Sequence, residues 1–224
     1  YMAQEPQPEA LDETLKRTDL GQIINDNKKP ILIAGLVVLL AIVAFSIYRY
    51  QANQQESQNL EQIYAFKNAT VQPYLEDKIS SDEAVEKILA LGPELTGSPN
   101  LAPAIFEVAN KLQAKDQASA AISILRKWFE QHRPGSYLYF FTGLRLAPLY
   151  EDANQPDKAI GVYEGLVKGN YDILQGKIYL DLGRLHLEQN EMEKAKSFFD
   201  HVIKNHEDTE YAKFARLYLQ RSGL

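Results

Sequence analysis

The feature that constrains this chain most is an uninterrupted apolar run near its beginning. Residues 31–48 contain no charged side chain and, before Tyr48, only one hydroxyl group, that of Ser46. The run is apolar on all sides, so no polar face remains to lie along a globular surface. A bilayer core of roughly 30 Å needs about 20 such residues in a helix. The sequence therefore predicts a transmembrane helix over residues 31–48.

A buried core helix and a cleaved secretory signal are the two alternatives to an anchor. Secretory signals have a short basic leader, an apolar run of about 7–15 residues and a small-residue cleavage site. Here residues 1–30 precede the run and are mostly acidic, and the nearest small-residue match, Ala44-Phe45-Ser46, lies inside the run. A permanent anchor is the preferred interpretation.

Basic residues near the two ends of the run predict its orientation. Four of them precede it and two follow it closely: Lys16, Arg17, Lys28 and Lys29, then Arg49 and Lys67. Because cytoplasmic flanks are enriched in Lys and Arg, residues 1–30 are expected in the cytoplasm and residues 50–224 across the membrane. The absence of cysteine excludes disulfides and is compatible with a Gram-negative periplasm. The expected location is therefore a bacterial inner membrane, crossed once.

Composition divides the rest of the chain and limits its function. Residues 1–30 are expected to form a partly disordered leader, and residues 49–100 a stalk helix with a degenerate first repeat. Beyond Arg49, 19 Lys and Arg face 24 Asp and Glu. This mildly acidic balance argues against a nucleic-acid partner, which normally meets a basic patch.

A repeated pattern of small residues organises residues 101–224. In three stretches a small residue follows an aliphatic one, and an alanine comes 12 positions later, with a bulky residue four further on. From one stretch to the next, the small residues are 38 and then 36 positions apart, and so are the alanines. The small residues are Ala109, Ala147 and Gly183, and the alanines are Ala121, Ala159 and Ala195. Because a small residue lets two helix backbones approach, the pattern predicts a series of helix pairs.

This pattern resembles the tetratricopeptide repeat, a helix pair of about 34 residues with Leu-Gly/Ala in its first helix and Ala-x3-Phe in its second. The resemblance implies an all-α fold: one N-terminal transmembrane helix, then a tetratricopeptide-like α-solenoid over residues 101–224. Residues 211–220 would form the capping helix that such stacks require. A generic helical bundle is the alternative.

No pattern in the sequence indicates catalysis. The four histidines lack the spacing of a zinc-binding HExxH motif, and no nucleophile-elbow, phosphate-loop or dinucleotide glycine motif occurs. We therefore expect no enzyme, no cofactor or metal, and no small-molecule substrate.

The resemblance to the tetratricopeptide repeat instead implies protein binding along the first helices of the pairs, which line an extended concave surface. The positions that match are Phe106, Asn110, Phe141, Leu144, Arg145, Lys177 and Arg184. The apolar members are expected to make hydrophobic contacts, and the basic members to meet acidic groups of a partner.

The order of leader, anchor and repeat domain resembles the YfgM-like ancillary translocon subunits of Gram-negative inner membranes. The segment "LKRTDLGQIINDNKKPILIAG", residues 15–35, is similar to the corresponding part of that family. The resemblance implies a periplasmic scaffold that assists protein export or envelope assembly, with Sec translocon components and periplasmic chaperones as partners. The alternative is an accessory structural subunit of another multi-subunit membrane complex, held mainly by its transmembrane and stalk helix.

Overall fold

The structure is a computed structural model that describes residues 27–224, except for the side chains at positions 53 and 55. Most of the predicted leader therefore lies outside the described residues. The chain divides into two units, residues 1–57 and residues 58–224, and each is described by itself. Within the described part every regular element is helical.

The first helix, α1 (Lys28–Phe66), contains the apolar run. The large apolar side chains of the run lie exposed, from 45% at Ile31 to 71% at Leu32. The hydroxyl of Ser46 donates a hydrogen bond of 2.8 Å to the carbonyl of Ile42 one turn earlier, so the helix itself satisfies this polar group. Among residues 27–224, this is the one helix whose length and composition would allow it to cross a membrane.

The remaining helices are short and follow one another closely. A π-helical turn (Lys67–Val71) leads into α2 (Gln72–Leu75), α3 (Ser81–Leu89) and α4 (Pro93–Thr96). Three pairs come next: α5 (Ala102–Ala114) with α6 (Ala118–Gln131), α7 (Tyr137–Asp152) with α8 (Pro156–Lys168), and α9 (Gln175–Glu188) with α10 (Met192–Asn205). The last helix is α11 (Glu210–Ser222). The predicted all-α helical-repeat fold is confirmed, while the membrane crossing of α1 stays a prediction.

The helices pack as the predicted register requires. Each second helix contacts both its own first helix and the helix that follows it in the chain. The alanines at positions 121, 159 and 195 are fully buried. Gly183 shows why the register needs small residues, since a Cβ atom there would lie only 2.5 Å from Cε1 of Phe199 on α10. The spacing of small residues therefore predicts where the helices cross.

The turn inside each pair has a common geometry. Asp116, Asn154 and Asn190 each lie seven positions after the small residue of their repeat and adopt φ of 60°, 55° and 61°. Asp and Asn tolerate this left-handed conformation better than other residues with a Cβ atom. The amide of the next residue donates to the carbonyl five positions before it, at 2.8–2.9 Å. In each pair the left-handed residue lies two positions after the last residue of the first helix, so the turn ends that helix.

The same turn occurs once more, ahead of the three pairs. Asp77 follows α2 with φ 59°, and the amide of Lys78 donates to the carbonyl of Pro73 at 2.8 Å. On α3, Ala84 and Ile88 are fully buried. Residues 67–89 thus share the turn and the buried Ala-x3-bulky pair of the later repeats, although their first helix is distorted by the π-helical turn. The domain boundaries assigned from the sequence stay predictions.

The last helix, α11, closes the array. The side chain of Thr209 accepts a hydrogen bond of 3.4 Å from the amide of Ala212 and so caps the helix. Ala212 and Ala215 are fully buried in a cluster that also holds Phe199. The predicted capping segment, residues 211–220, lies within this helix.

Candidate protein-binding groove

The junction between α5 and α7 brings together several of the residues predicted from the sequence. The guanidinium carbon of Arg145 lies 4.2 Å from the ring centroid of Phe106, which is a cation–π contact. Nη1 of Arg145 also donates a hydrogen bond of 3.1 Å to the carbonyl of Phe141 one turn earlier. Arg145 and Asn110 line a cavity of about 190 Å³. Phe106, Asn110, Phe141, Leu144 and Arg145 are called the α5–α7 site below.

Arg145 is half-buried without a carboxylate beside it. Among residues 27–224, no Asp or Glu oxygen lies within ion-pair distance of its guanidinium. Burial lowers the pKa of Arg145, and no nearby charge opposes that shift. A guanidinium remains protonated in proteins, so a positive charge stays at this cavity. The arrangement can therefore accept an anionic or carbonyl oxygen from outside the chain.

The apolar members of the α5–α7 site differ in exposure. Phe106 and Leu144 are half-buried and pack against the main hydrophobic cluster. Phe141 is 41% exposed and meets Phe140 edge to face, with ring centroids 5.4 Å apart. Phe140 itself is fully buried. Phe141 is thus the aromatic ring of this site that is most available to a partner.

The next junction, between α7 and α9, is closed by ion pairs. Arg184 on α9 bonds the carboxylate of Glu151 on α7 and lies 2.9 Å from Oε1 of Glu188. Glu151 also accepts a hydrogen bond of 3.0 Å from the hydroxyl of Tyr163 on α8. Burial alone would lower the pKa of Arg184, but hydrogen bonds and charges from Glu151 and Glu188 raise it above its ordinary value. Burial, followed by the charges of Asp181 and Glu151, raises the pKa of Tyr163.

Lys177 belongs to the same set of charges. Its ammonium group lies 2.5 Å from Oδ2 of Asp181, and Oδ1 of that aspartate lies 3.9 Å from Arg184. The residues joined in this way are Glu151, Tyr163, Lys177, Asp181, Arg184 and Glu188, called the Arg184 network below. Lys177 and Arg184 therefore meet acidic groups within the chain itself. The binding roles that the sequence assigned to the seven groove residues stay predictions.

Besides Asn110 and Arg145, five residues that were not predicted as site residues line the cavity: Ala109, Gln113, Leu125, Pro148 and Leu149. Gln113 follows Asn110 by nearly one helical turn, and Pro148 interrupts the amide pattern inside α7. Gln113 lies four positions after Ala109, the small residue of its repeat. The sequence pattern would have predicted it if the site had been extended by one helical turn beyond Ala109. Residues one turn apart share a helix face.

Metal binding finds no support in the described part of the chain. No group of three His, Cys, Asp or Glu side chains comes close enough there to hold an ion. His186 illustrates how the histidines are used, since its Nδ1 lies 2.5 Å from Oε2 of Glu191 and its ring stacks on Phe198 with centroids 5.3 Å apart. This imidazole is a packing element of the last pair.

Comparison with known proteins identifies no family. No family model matches the chain, and no curated protein matches it. A tetratricopeptide repeat protein from Parabacteroides merdae is 15% identical, with a TM-score of 0.49, over 75% of this chain and 60% of the other. The MamA protein of Desulfovibrio magneticus RS-1 is also 15% identical, with a TM-score of 0.46, over 72% of this chain and 85% of the other. Because both TM-scores are below 0.5, the fold described above rests on the chain's own helix packing.

Proposed function

We propose that this chain is a membrane-anchored scaffold that binds segments of other proteins at the α5–α7 site. The observation that carries the proposal is Arg145, which is half-buried over Phe106 beside a cavity of about 190 Å³ and has no carboxylate partner among residues 27–224. A buried charge is stabilised when an opposite charge pairs with it, so a partner's carboxylate is the natural complement. Arg and large aromatic residues dominate the energetics of most protein interfaces.

The neighbours of Arg145 narrow the chemistry of the partner. Asn110 and Gln113 carry amide groups at the same cavity and can pair with a peptide backbone. Phe141 offers an exposed ring one turn before Arg145. An extended segment with an acidic residue next to an apolar one fits this combination. The Arg184 network offers less to such a segment because its charges are already paired.

The anchor would be the apolar part of α1, residues 31–48. Its large side chains are exposed and its single hydroxyl before Tyr48 is satisfied inside the helix, as a span in lipid requires. The basic residues before the run support a cytoplasmic N-terminal side, so that residues 50–224 would lie in the periplasm of a Gram-negative cell. Sec translocon components and periplasmic chaperones are the proposed partners, in protein export or envelope assembly.

The second candidate is an accessory subunit of another membrane complex, held through α1 rather than through the repeats. Gly35 favours it, because it is a small residue within the exposed apolar run of α1. Small residues let another transmembrane helix approach closely. In this case α1 would carry the binding energy.

A photo-crosslinking experiment on the full chain in its membrane tests the first proposal. A benzoylphenylalanine replaces Asn110 in the site or, as a control, Glu164, an exposed residue of α8. We expect partner adducts from position 110 that Arg145→Ala abolishes and Arg126→Ala, on α6, leaves intact. Adducts that persist in Arg145→Ala, or copurification of the same partners by α1 alone, would favour the accessory-subunit function.

A protease experiment tests the orientation separately. Protease added to spheroplasts should digest residues 50–224 and spare the leader, because the basic flank precedes the anchor. Protection of the repeat domain in intact spheroplasts, with digestion after lysis, would reverse the orientation. That outcome would place the domain in the cytoplasm and exclude periplasmic partners.

A further inference from the structure

A second cavity, of about 330 Å³, lies between α8, α9 and α10, apart from the α5–α7 site. Val167 supplies apolar surface to it, and Tyr179, His201 and His206 supply rings, whereas Leu166 and Ile178 are almost fully buried behind it. Cavities of roughly 300 Å³ or more are the usual size of small-ligand sites. The cavity therefore has the size of a binding pocket, and its lining is polar and aromatic.

The two imidazoles of this cavity carry unused hydrogen-bonding capacity. Their ring centroids lie 6.2 Å apart, and the ring of His201 stacks on Tyr179 with centroids 3.8 Å apart. Nε2 of His206 is buried and has no hydrogen-bond partner in the part of the chain that the structure describes. A buried polar atom of this kind normally has a partner, and a ligand atom in the cavity would supply one.

The groups that line the cavity can donate hydrogen bonds to an anion. Within the described part of the chain, the residues that line it include no carboxylate. Burial, and then the positive charges of His206 and Lys204, lowers the pKa of His201. A bound carboxylate would oppose this shift and favour protonated, donating imidazoles.

We propose that this cavity binds the carboxylate of a small apolar or aromatic acid, either free or as the C-terminal residue of a chain. The carboxylate lies against His206 and His201, and the apolar part lies on Val167 and the ring of Tyr179. Repeat position alone does not create the site. His132 occupies the position of His206 in an earlier repeat, also with a buried and unpartnered Nε2, yet it does not line this cavity.

Binding of such an acid is linked to pH. The protonated imidazole is the form that pairs with a carboxylate, so the complex takes up protons and affinity rises as pH falls toward the range where histidine titrates. Phenolic groups change little in this range. The lining residues of α8 carry no titratable group. Those around the two imidazoles are Lys204, Tyr171, Tyr179 and Tyr211, and Glu207 and Asp208 directly follow His206 in the chain.

Calorimetric titration of the full chain in lipid nanodiscs tests the proposal, with phenylacetate as the probe and phenylacetamide as its uncharged match. We expect phenylacetate to bind about tenfold more tightly than the amide near pH 6, and to lose most of that preference near pH 8. The wild-type chain alone decides this comparison, so it does not depend on the folding of a variant. Equal affinity for the acid and the amide would overturn the proposal.

Two histidine variants test whether phenylacetate binds in this cavity. His206→Ala should weaken phenylacetate binding about tenfold near pH 6, while the matched change His132→Ala should leave it unchanged. The same loss in both variants, or in neither, would overturn the assignment to this cavity.

The dipeptide Gly-Phe with a free or an amidated C-terminus separates the two sources of the carboxylate. Binding of the free form places a chain end in the cavity, whereas binding of phenylacetate alone restricts the cavity to small free acids. Either result supports a carboxylate site, and the failure of both acids to bind contradicts it.

Discussion

The two junctions between successive first helices use arginine in opposite ways. Between α5 and α7, Arg145 lies over an aromatic ring without a carboxylate partner within the described residues. Between α7 and α9, Arg184 bonds Glu151 and Glu188. The difference traces to two features of the repeats. Arg145 lies two residues before the small residue of its helix, whereas Arg184 lies one residue after its own. Four residues after the small residue, α5 has the neutral Gln113 where α7 has Glu151, so only the second junction supplies a carboxylate to the helix that follows.

The comparison teaches that residue type does not by itself assign a role. One arginine fastens two repeats together, and the other has no carboxylate partner within the described residues. The distinction depends on where each arginine lies in its repeat and on the side chain that the preceding repeat presents, Gln113 or Glu151.

The largest expected effect concerns the close packing at the α9–α10 crossing. Gly183→Ala would place its Cβ against the fully buried ring of Phe199, and such overpacking costs roughly 1–3 kcal/mol of unfolding free energy. Gly161→Ala on α8 meets open space and should stabilise the helix slightly. Thermal melting followed by circular dichroism measures both. Equal melting temperatures would contradict this packing.

The next effect separates the two arginines. Arg184→Ala leaves the partly buried Glu151 without its cation and should cost about 2 kcal/mol of unfolding free energy. Arg145→Ala removes a cation–π contact and an exposed hydrogen bond to the carbonyl of Phe141, and should cost about 1 kcal/mol or less. Denaturant titration of the full chain in detergent gives both values. If Arg145→Ala proves the more destabilising change, the assigned roles of the two arginines must be exchanged.

A third change converts the open junction into a closed one. Gln113→Glu adds a carboxylate to the cavity that Arg145 lines, so the guanidinium gains an internal partner. We expect partner capture to fall about fivefold, equivalent to about 1 kcal/mol, with stability unchanged or slightly raised. Gln131→Glu, exposed at the end of α6, adds the same charge elsewhere. If both variants capture partners equally, the free charge of Arg145 is not what binds them.

The smallest effect concerns the turn ahead of α3, which shares its geometry with the later pairs. Hydrogen bonds from Lys111 and Lys115 lower the pKa of Asp77 from 3.8 to about 2. Because the folded-state pKa is the lower one, these ion pairs stabilise the fold above about pH 4 and are lost as pH falls toward 2. Asp77→Asn keeps a residue that tolerates φ > 0 but removes the charge.

The melting temperatures of wild type and Asp77→Asn should therefore differ slightly near pH 6 and converge near pH 2. A difference that is constant across this range would show that the charge of Asp77 makes no contribution. The effect is expected to be small because Asp77 is exposed to solvent, which screens its ion pairs.

Much of the fold could be predicted because its determinants are periodic. The recurrence of Ala109, Ala147 and Gly183 marks the helix crossings, since only small residues allow two backbones to approach. The left-handed turns at Asp116, Asn154 and Asn190 follow the same spacing, and attention to Asp and Asn at that interval would have predicted them as well. The π-helical turn after Phe66 interrupts this period, and no residue pattern in the sequence predicted it.

The sequence by itself determined the apolar run of α1, the helix-pair register and the helix faces that meet, because side-chain direction along a helix follows directly from residue spacing. Only the tertiary structure decided which charges are free. Arg184 pairs with Glu151, which lies 33 positions earlier in the chain. Arg145 instead contacts the ring of Phe106 and the carbonyl of Phe141. His201 and His206 both line a cavity to which three helices contribute. Such pairings depend on distances across helices, and these depend on how the helices pack against one another.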